Sequence, residues 1–224
     1  MDLFTIANKN LRERLQDVTL LLHTIEKLEQ EKNNRDAAKI YKGLFFIVLY
    51  GAVEKCLVDC VSIAINYLNE QDITVLEVRP ELWAIAFDPD CTRIEQNSNS
   101  NKWGNRNKLF IQLQANNVLP HIQSNLFPTI VGNIKLEQID GIWNTFGIKE
   151  PSNPEITKGY KQTLSNVADC RMQIAHGAAT ATEIGARYSL ETLKQKLVDI
   201  DYYCNYIIAC FNNYITNKDF LSDR

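Results

Sequence analysis

The sequence predicts an all-α protein, an up-and-down bundle of long helices carrying a loop-rich, partly helical insertion. Three observations carry that reading. Apolar residues recur at three- and four-residue steps over several long stretches. No internal repeat, coiled-coil heptad or β-hairpin pattern is present. Pro80, Pro89, Pro120 and Pro128, with an Asn- and Ser-rich run from Gln96 to Lys108, concentrate in one segment, 71–134, between helical stretches.

Residues 2–31 read as an amphipathic helix, because Leu11, Leu15, Val18, Leu22, Ile25 and Leu28 form one stripe. The polar run 32–36 is a turn, and Asn34 or Asp36 can cap the second helix. That helix spans 36–69 and is apolar nearly all round from Leu44 to Tyr50, as suits a bundle centre. Gly43 and Gly51 inside it each cost about 1 kcal/mol against Ala. They mark either a close helix approach or a local break. The insertion at 71–134 holds short helices over 80–87 and 106–116, with loop elsewhere. A loop region this long is a lid, a binding loop or partly disordered.

Residues 135–147 form a short helix with Ile139, Ile142, Trp143 and Phe146 on one side, ended by Pro151 and Pro154. Residues 155–176 form a helix whose apolar side is Tyr160, Leu164, Val167, Ile174 and Ala175, with Gly177 as its C′ residue. Residues 189–216 form the last long helix, capped by Ser189. Leu190, Leu193, Leu197, Ile200, Tyr203, Ile207 and Phe211 line its inner face.

A chain of 224 residues suits one domain, here 1–224 with its insertion. A formal net charge of −3 and a pI near 5.7 argue against gripping duplex DNA by bulk charge, but permit a local basic patch. Six cysteines lie mostly in apolar helical stretches and read as reduced core thiols of a cytosolic protein. Cys56 and Cys60 are one turn apart without a second ligand pair, so no metal site is expected. The most apolar stretch, 44–68, contains Glu54, Lys55 and Asp59 and reads as a buried helix rather than a membrane span. A phosphate-cradling glycine loop, a His-Glu-x-x-His helix and a Gly-x-Ser-x-Gly elbow are absent, which argues against NTPase, zinc protease and α/β-hydrolase chemistry.

The chemistry-bearing run is Cys170-Arg171-Met172-Gln173-Ile174-Ala175-His176-Gly177. Arg supplies a permanent cation with planar donors that suit a phosphate. His supplies a group able to take or give a proton near neutral pH. At about 100° per residue the two side chains diverge by about 140°, so one helix cannot bring them to a single compact site. A two-fold homodimer solves this by facing two copies of the helix across one cleft. The alternative is structural, with Arg171 a surface residue and His176 a helix cap.

Arg171 and His176, with Ile174-Ala175 before the His and Gly177 after it, resemble the Arg-x4-6-His signature of the HEPN superfamily. The resemblance covers roughly 2–70 and 135–215. It includes less sharply Tyr50-Gly51-Ala52-Val53-Glu54, where such proteins often carry an acidic residue. It implies a small helical bundle and metal-independent RNA cleavage at a composite homodimer site without a cofactor. The implied product is a 2′,3′-cyclic phosphate. Arg171 and His176 would be catalytic, and the setting prokaryotic toxin–antitoxin or anti-phage defence, with an antitoxin or defence partner. A catalytically silent member that binds a nucleotide or protein is the alternative. Two positions depart from the family pattern: Met172 stands where a polar residue is common, and Ala178 where some toxin members carry a modified Tyr.

Glu54 is a candidate supporting residue, since it lies in an apolar helix and needs a partner. It either orients Arg171, reaches solvent at the bundle edge, or pairs with neighbours of Lys55. Gln173 flanks His176 and can substitute for the missing polar group, and Asn166 precedes the motif. Asp169 reads as a solvated charge. Trp103, Arg106 and Lys108 are candidate RNA contacts, an aromatic among cations that can stack a base and hold phosphates. Alternatively, Trp103 anchors a solvent loop to the bundle. His23 and His121 have no partner legible in sequence.

Overall fold

The apolar stripe of the first helix, α1 (Thr5–Gln30), buries Ala7, Leu11, Leu15, Val18, Leu22 and Ile25. Each large aliphatic contributes about 1.5–3 kcal/mol when fully buried. That stripe packs on α2 (Arg35–Asn69), the central element. The computed structural model describes residues 3–96, 99–115, 117–124, 134, 136–149 and 154–222. Beyond α2 these include α3 (Trp83–Ala86), α4 (Asp88–Gln96), α5 (Asn99–Gln114), α6 (Leu136–Phe146), α7 (Pro154–Ala175), α8 (Ala181–Gly185) and α9 (Leu190–Thr216). Short 3-10 turns at Lys32–Asn34 and Pro80–Leu82 precede α2 and α3. The fold is all-α. Its β-type pairings among the described residues are isolated bridges, Thr74 with Val118 and Val78 with Leu221.

α2 packs against α1, α7, α8 and α9, which explains why its middle is apolar on so many sides. α9 runs beside α2 in the same sense: the Cys56 thiol reaches the Cys204 carbonyl at 3.7 Å, and Tyr67 meets Phe220 further along. α7 runs antiparallel to α9, with Thr163 bonded to Asp199 at 2.8 Å and Tyr160 stacked on Tyr202 at 4.7 Å. The C-terminal end of α7 therefore lies beside the N-terminal half of α9. α6 buries all four of its expected residues, Ile139, Ile142, Trp143 and Phe146.

The two glycines of α2 divide. The helix continues through both. At Gly43 an added Cβ would stand 2.1 Å from the Ala181 carbonyl oxygen, and at Gly185 one would stand 1.8 Å from that of Lys39. These glycines let α2 and α8 cross at backbone contact. Around Gly51 there is open space. Asn34 is the residue before α2, but its side chain donates to Glu31 instead of capping the helix.

The insertion is more helical than the sequence suggests. Residues 88–96 form α4, and α5 begins at Asn99 rather than 106. Pro89 sits in the first turn of α4, where a missing N–H costs nothing, and Asp88 and Asp90 favour the positive end of the helix dipole. Leu109 and Leu113 pack on the core from α5, which offsets the weak helix preference of its Asn residues. The segment is tied to the bundle at several points. Asn69 exchanges two hydrogen bonds with Ile122, the Trp83 indole N–H donates to the Val75 carbonyl, and the Arg79 N–H donates to the Phe220 carbonyl. Residues 125–133, with Pro128, lie outside the described residues, as do Pro151 and the start of the expected helix at residue 135.

α8 has no counterpart in the sequence reading. Five residues are too few for periodicity, yet Thr180-Ala181-Thr182-Glu183 is a capping box. The Thr180 hydroxyl accepts from the Glu183 N–H at 3.2 Å, and the Glu183 carboxylate accepts from the Thr180 N–H at 2.7 Å. The Thr180 N–H, and then its hydroxyl, bonded to that carboxylate hold the Glu183 carboxyl below its ordinary range.

A candidate composite active site at the end of α7

α7 ends at Ala175, and the Arg-His run occupies its last turn and cap. His176 N–H donates to the Met172 carbonyl, closing the final helical bond, and Gly177 N–H donates to that of Ile174. Gly177 has φ +69°, the left-handed conformation that glycine accepts without a Cβ penalty. The Ala179 N–H then reaches back to the Gln173 carbonyl at 3.1 Å. This cap turns the chain sharply and leaves the His176 side chain exposed. Ala175, expected on the apolar side, is exposed too.

Arg171 lies against α2. Its guanidinium lies over the Tyr50 ring at 4.9 Å from the centroid. Tyr50 is buried, and its hydroxyl accepts the Ile134 N–H. Burial raises the phenol above its ordinary range, so it stays protonated and neutral under Arg171. Glu54 lies one turn beyond Tyr50, and its charge reaches that phenol. Among the described residues Glu54 forms no salt bridge.

Asn166 belongs to a different network. Its amide nitrogen donates to the Tyr188 hydroxyl at 2.9 Å, and Cys170 Sγ lies 3.3 Å from the same oxygen. The Tyr188 ring packs on Phe46 at 4.8 Å and carries the Lys196 ammonium 5.5 Å from its centroid. Burial holds the Lys196 pKa below its ordinary value. Lys42 donates to the Tyr188 carbonyl at 3.0 Å and pairs with Glu29 at 2.5 Å. Gln173 accepts from Arg187 at 3.2 Å, which brings a second arginine to the end of α7. Sequence reasoning missed Arg187, Tyr188 and Lys196. Their signal was faint: cations and a Tyr flanking the Ser189 cap of the next helix. Asp169 is exposed, as expected of a solvated charge, and so are His23 and His121.

One end of α7 thus presents an exposed imidazole, a half-buried arginine seated on an aromatic ring, and two further cations. These groups can bind a phosphodiester and move a proton. Among the described residues no group of three or more His, Cys, Asp and Glu is placed to hold a metal ion.

A family model described as HEPN_MAE_28990-like HEPN matches residues 6–220. The chain belongs to the HEPN superfamily. The match runs through the 71–134 segment, which the motif resemblance did not cover. No curated protein and no solved structure matches the chain. In this HEPN chain the Arg-His run closes α7, with α2 supplying the aromatic seat for the arginine. No described helix is long and apolar enough to cross a membrane.

The candidate RNA contacts lie apart from the motif, on α5. Trp103 and Arg106 come together, with the guanidinium 5.5 Å from the ring centroid. Lys108 points about 140° away from Trp103 around the helix. Trp103 is 77% exposed and anchors nothing to the bundle.

Proposed function

We propose that the chain is a metal-independent RNA endonuclease acting as a homodimer in prokaryotic toxin–antitoxin or anti-phage defence. The observation that carries this reading is the different surroundings of Arg171 and His176 at one helix end. Arg171 lies back on Tyr50, and His176 faces solvent. A single copy leaves them divergent, and a second copy related by a two-fold axis supplies the missing half of each pair.

α2 offers a surface for that second copy. Ile40, Tyr41, Leu44, Ile47 and Val48 are 37–42% exposed and form one stripe. Ile47 is three residues before Tyr50, so the stripe adjoins the seat of Arg171. A stable interface buries about 1,200 Å² or more in total.

In the reaction the ribose 2′-OH attacks the adjacent phosphorus and loses its proton to a base. The bond from phosphorus to the 5′-oxygen breaks, and that oxygen gains a proton. A 2′,3′-cyclic phosphate and a 5′-hydroxyl result. His176 serves as the acid that protonates the leaving oxygen or as the base that takes the 2′ proton. Arg171 stabilises the charge that develops on the phosphoryl oxygens. Gln173 and Arg187 line the approach. An antitoxin or other defence-system protein is the expected regulator.

Met172 favours a second reading, a silent HEPN module that binds a nucleotide or a protein. It lies one turn before His176 and presents no polar group where the family commonly has one. Incubation of purified protein with total RNA in EDTA separates the two. The nuclease cleaves without divalent metal, whereas the silent module leaves RNA intact.

A further inference from the structure

α4 and α5 form a helical hairpin, with α4 packed on both α5 and α3. The net charge of the whole chain is −3, yet α5 carries Lys102, Arg106 and Lys108 and no Asp or Glu. Trp103, Arg106, Asn107 and Phe110 are spaced i, i+3, i+4 and i+7, so they share one helix face. Trp103 is 77% exposed and Phe110 60%. With Cys91, Ile94 and Glu95 of α4 this face lines an open groove of about 640 Å³. Ring, cation and amide alternate along it, and among the described residues Glu95 is its one acidic lining residue.

The geometry points to this groove as a grip for single-stranded RNA, which holds the substrate away from the Arg-His motif. The inference rests on the nuclease reading for its choice of ligand, and it adds the substrate class. An exposed indole offers a flat apolar face to an unstacked base, a contact that tolerates any sequence. Arg106, beside that indole, is placed to pair with the neighbouring phosphate. Lys102, a turn before Arg106, extends the positive track. Asn107 presents an amide to a base edge. A duplex hides its base faces and gives Trp103 and Phe110 nothing to stack on. An acidic peptide would use the cations but leave the paired aromatics without a planar partner.

The experiment is direct binding by fluorescence anisotropy with full-length His176→Ala protein, so that cleavage does not consume the probe. The probes are a labelled single-stranded RNA of about twelve nucleotides, within the span such grooves accept, and the same sequence as a duplex. The single strand should bind more tightly than the duplex. Trp103→Ala should weaken it by roughly 5–150-fold, the range that loss of one base stack implies. Trp103→Phe should restore most of the loss. Arg106→Ala should weaken binding and lower the slope of log affinity against log salt by about 0.7. Circular dichroism of each variant confirms that the helices persist. Equal affinity of Trp103→Ala and the parent overturns the inference, as does equal or tighter binding of the duplex. No binding of the single strand also overturns it. If single strands bind through Trp103 while wild-type protein cleaves no RNA, the grip stands and the nuclease reading falls. If wild-type protein cleaves and Trp103→Ala leaves KM unchanged, the grip alone falls.

Discussion

The Arg171 guanidinium rests 4.9 Å from the centroid of the Tyr50 ring, across the contact between α7 and α2. A cation over an aromatic face is worth about 0.5–2 kcal/mol, more when desolvated. A neutral ring seats the arginine and brings no counter-charge of its own. Tyr50→Phe should keep the ring under Arg171 and lose only the hydroxyl that accepts the Ile134 N–H. Tyr50→Leu should remove the seat. RNA cleavage by Tyr50→Phe should stay within a few-fold of wild type, and that of Tyr50→Leu should fall further. Equal rates for both variants would show that the ring does not position Arg171.

Gly43 and Gly51 should respond oppositely to alanine. Gly43→Ala forces a Cβ against the Ala181 backbone, which cannot yield as a flexible side chain can. Overpacking of that kind costs about 1–3 kcal/mol or more. Gly51→Ala meets open space and should stabilise α2 by about 0.5–1 kcal/mol. Urea denaturation of both variants measures the difference, and a Gly43→Ala protein as stable as wild type would contradict the close crossing of α2 and α8.

Thiol titration should divide the six cysteines. Cys56, Cys60, Cys170 and Cys204 are buried, whereas Cys91 and Cys210 are partly exposed. Burial, with Asp88, Asp90 and Glu95 nearby, pushes the Cys91 thiol up, so its thiolate grows only as pH rises above the ordinary thiol range. In native protein a thiol reagent under mildly alkaline conditions should modify Cys91 and Cys210 at most, with Cys91 faster at higher pH. The buried thiols should react on unfolding. Rapid native modification of all six would contradict the packing between α2 and α9.

A charge on the α2 stripe should separate the proposed dimer. Leu44→Glu and Ile47→Glu replace exposed apolar side chains with carboxylates. Each should convert a dimer to a monomer in light scattering at micromolar concentration, keep helical content, and lose RNA cleavage. A monomeric wild-type protein under the same conditions would count against the composite site itself.

The long helices were legible because their apolar stripes repeat over many turns. The stripe from Leu11 to Ile25 is buried as read, and so are Ile139, Ile142, Trp143 and Phe146. α8 was not, since Gly43 and Gly185 act through a tertiary crossing that leaves no periodicity. The Asn- and Ser-rich run reads locally as loop, and packing of Leu109 and Leu113 on the core is what supports a helix there. At the candidate site, Arg171 and His176 were visible from residue types and spacing. Two of their neighbours were not: the Tyr50 ring under Arg171 comes from a distant helix, and the Arg187 bond to Gln173 joins α7 to a residue beyond α8.

The composite Arg-His site stands or falls on cleavage of RNA in EDTA by wild-type, Arg171→Ala and His176→Ala proteins. Loss of an acid–base group costs about 10²–10⁴ in rate, and loss of a cation acting on the transition state costs a similar factor. His176 is exposed at a helix end, so its removal should cost little stability. Removing Arg171 uncovers the buried Tyr50 and should lower the melting temperature somewhat more. The expected result is a wild-type enzyme that cleaves without metal, and two folded variants that do not. A His176→Ala protein that cleaves at the wild-type rate would contradict the composite site.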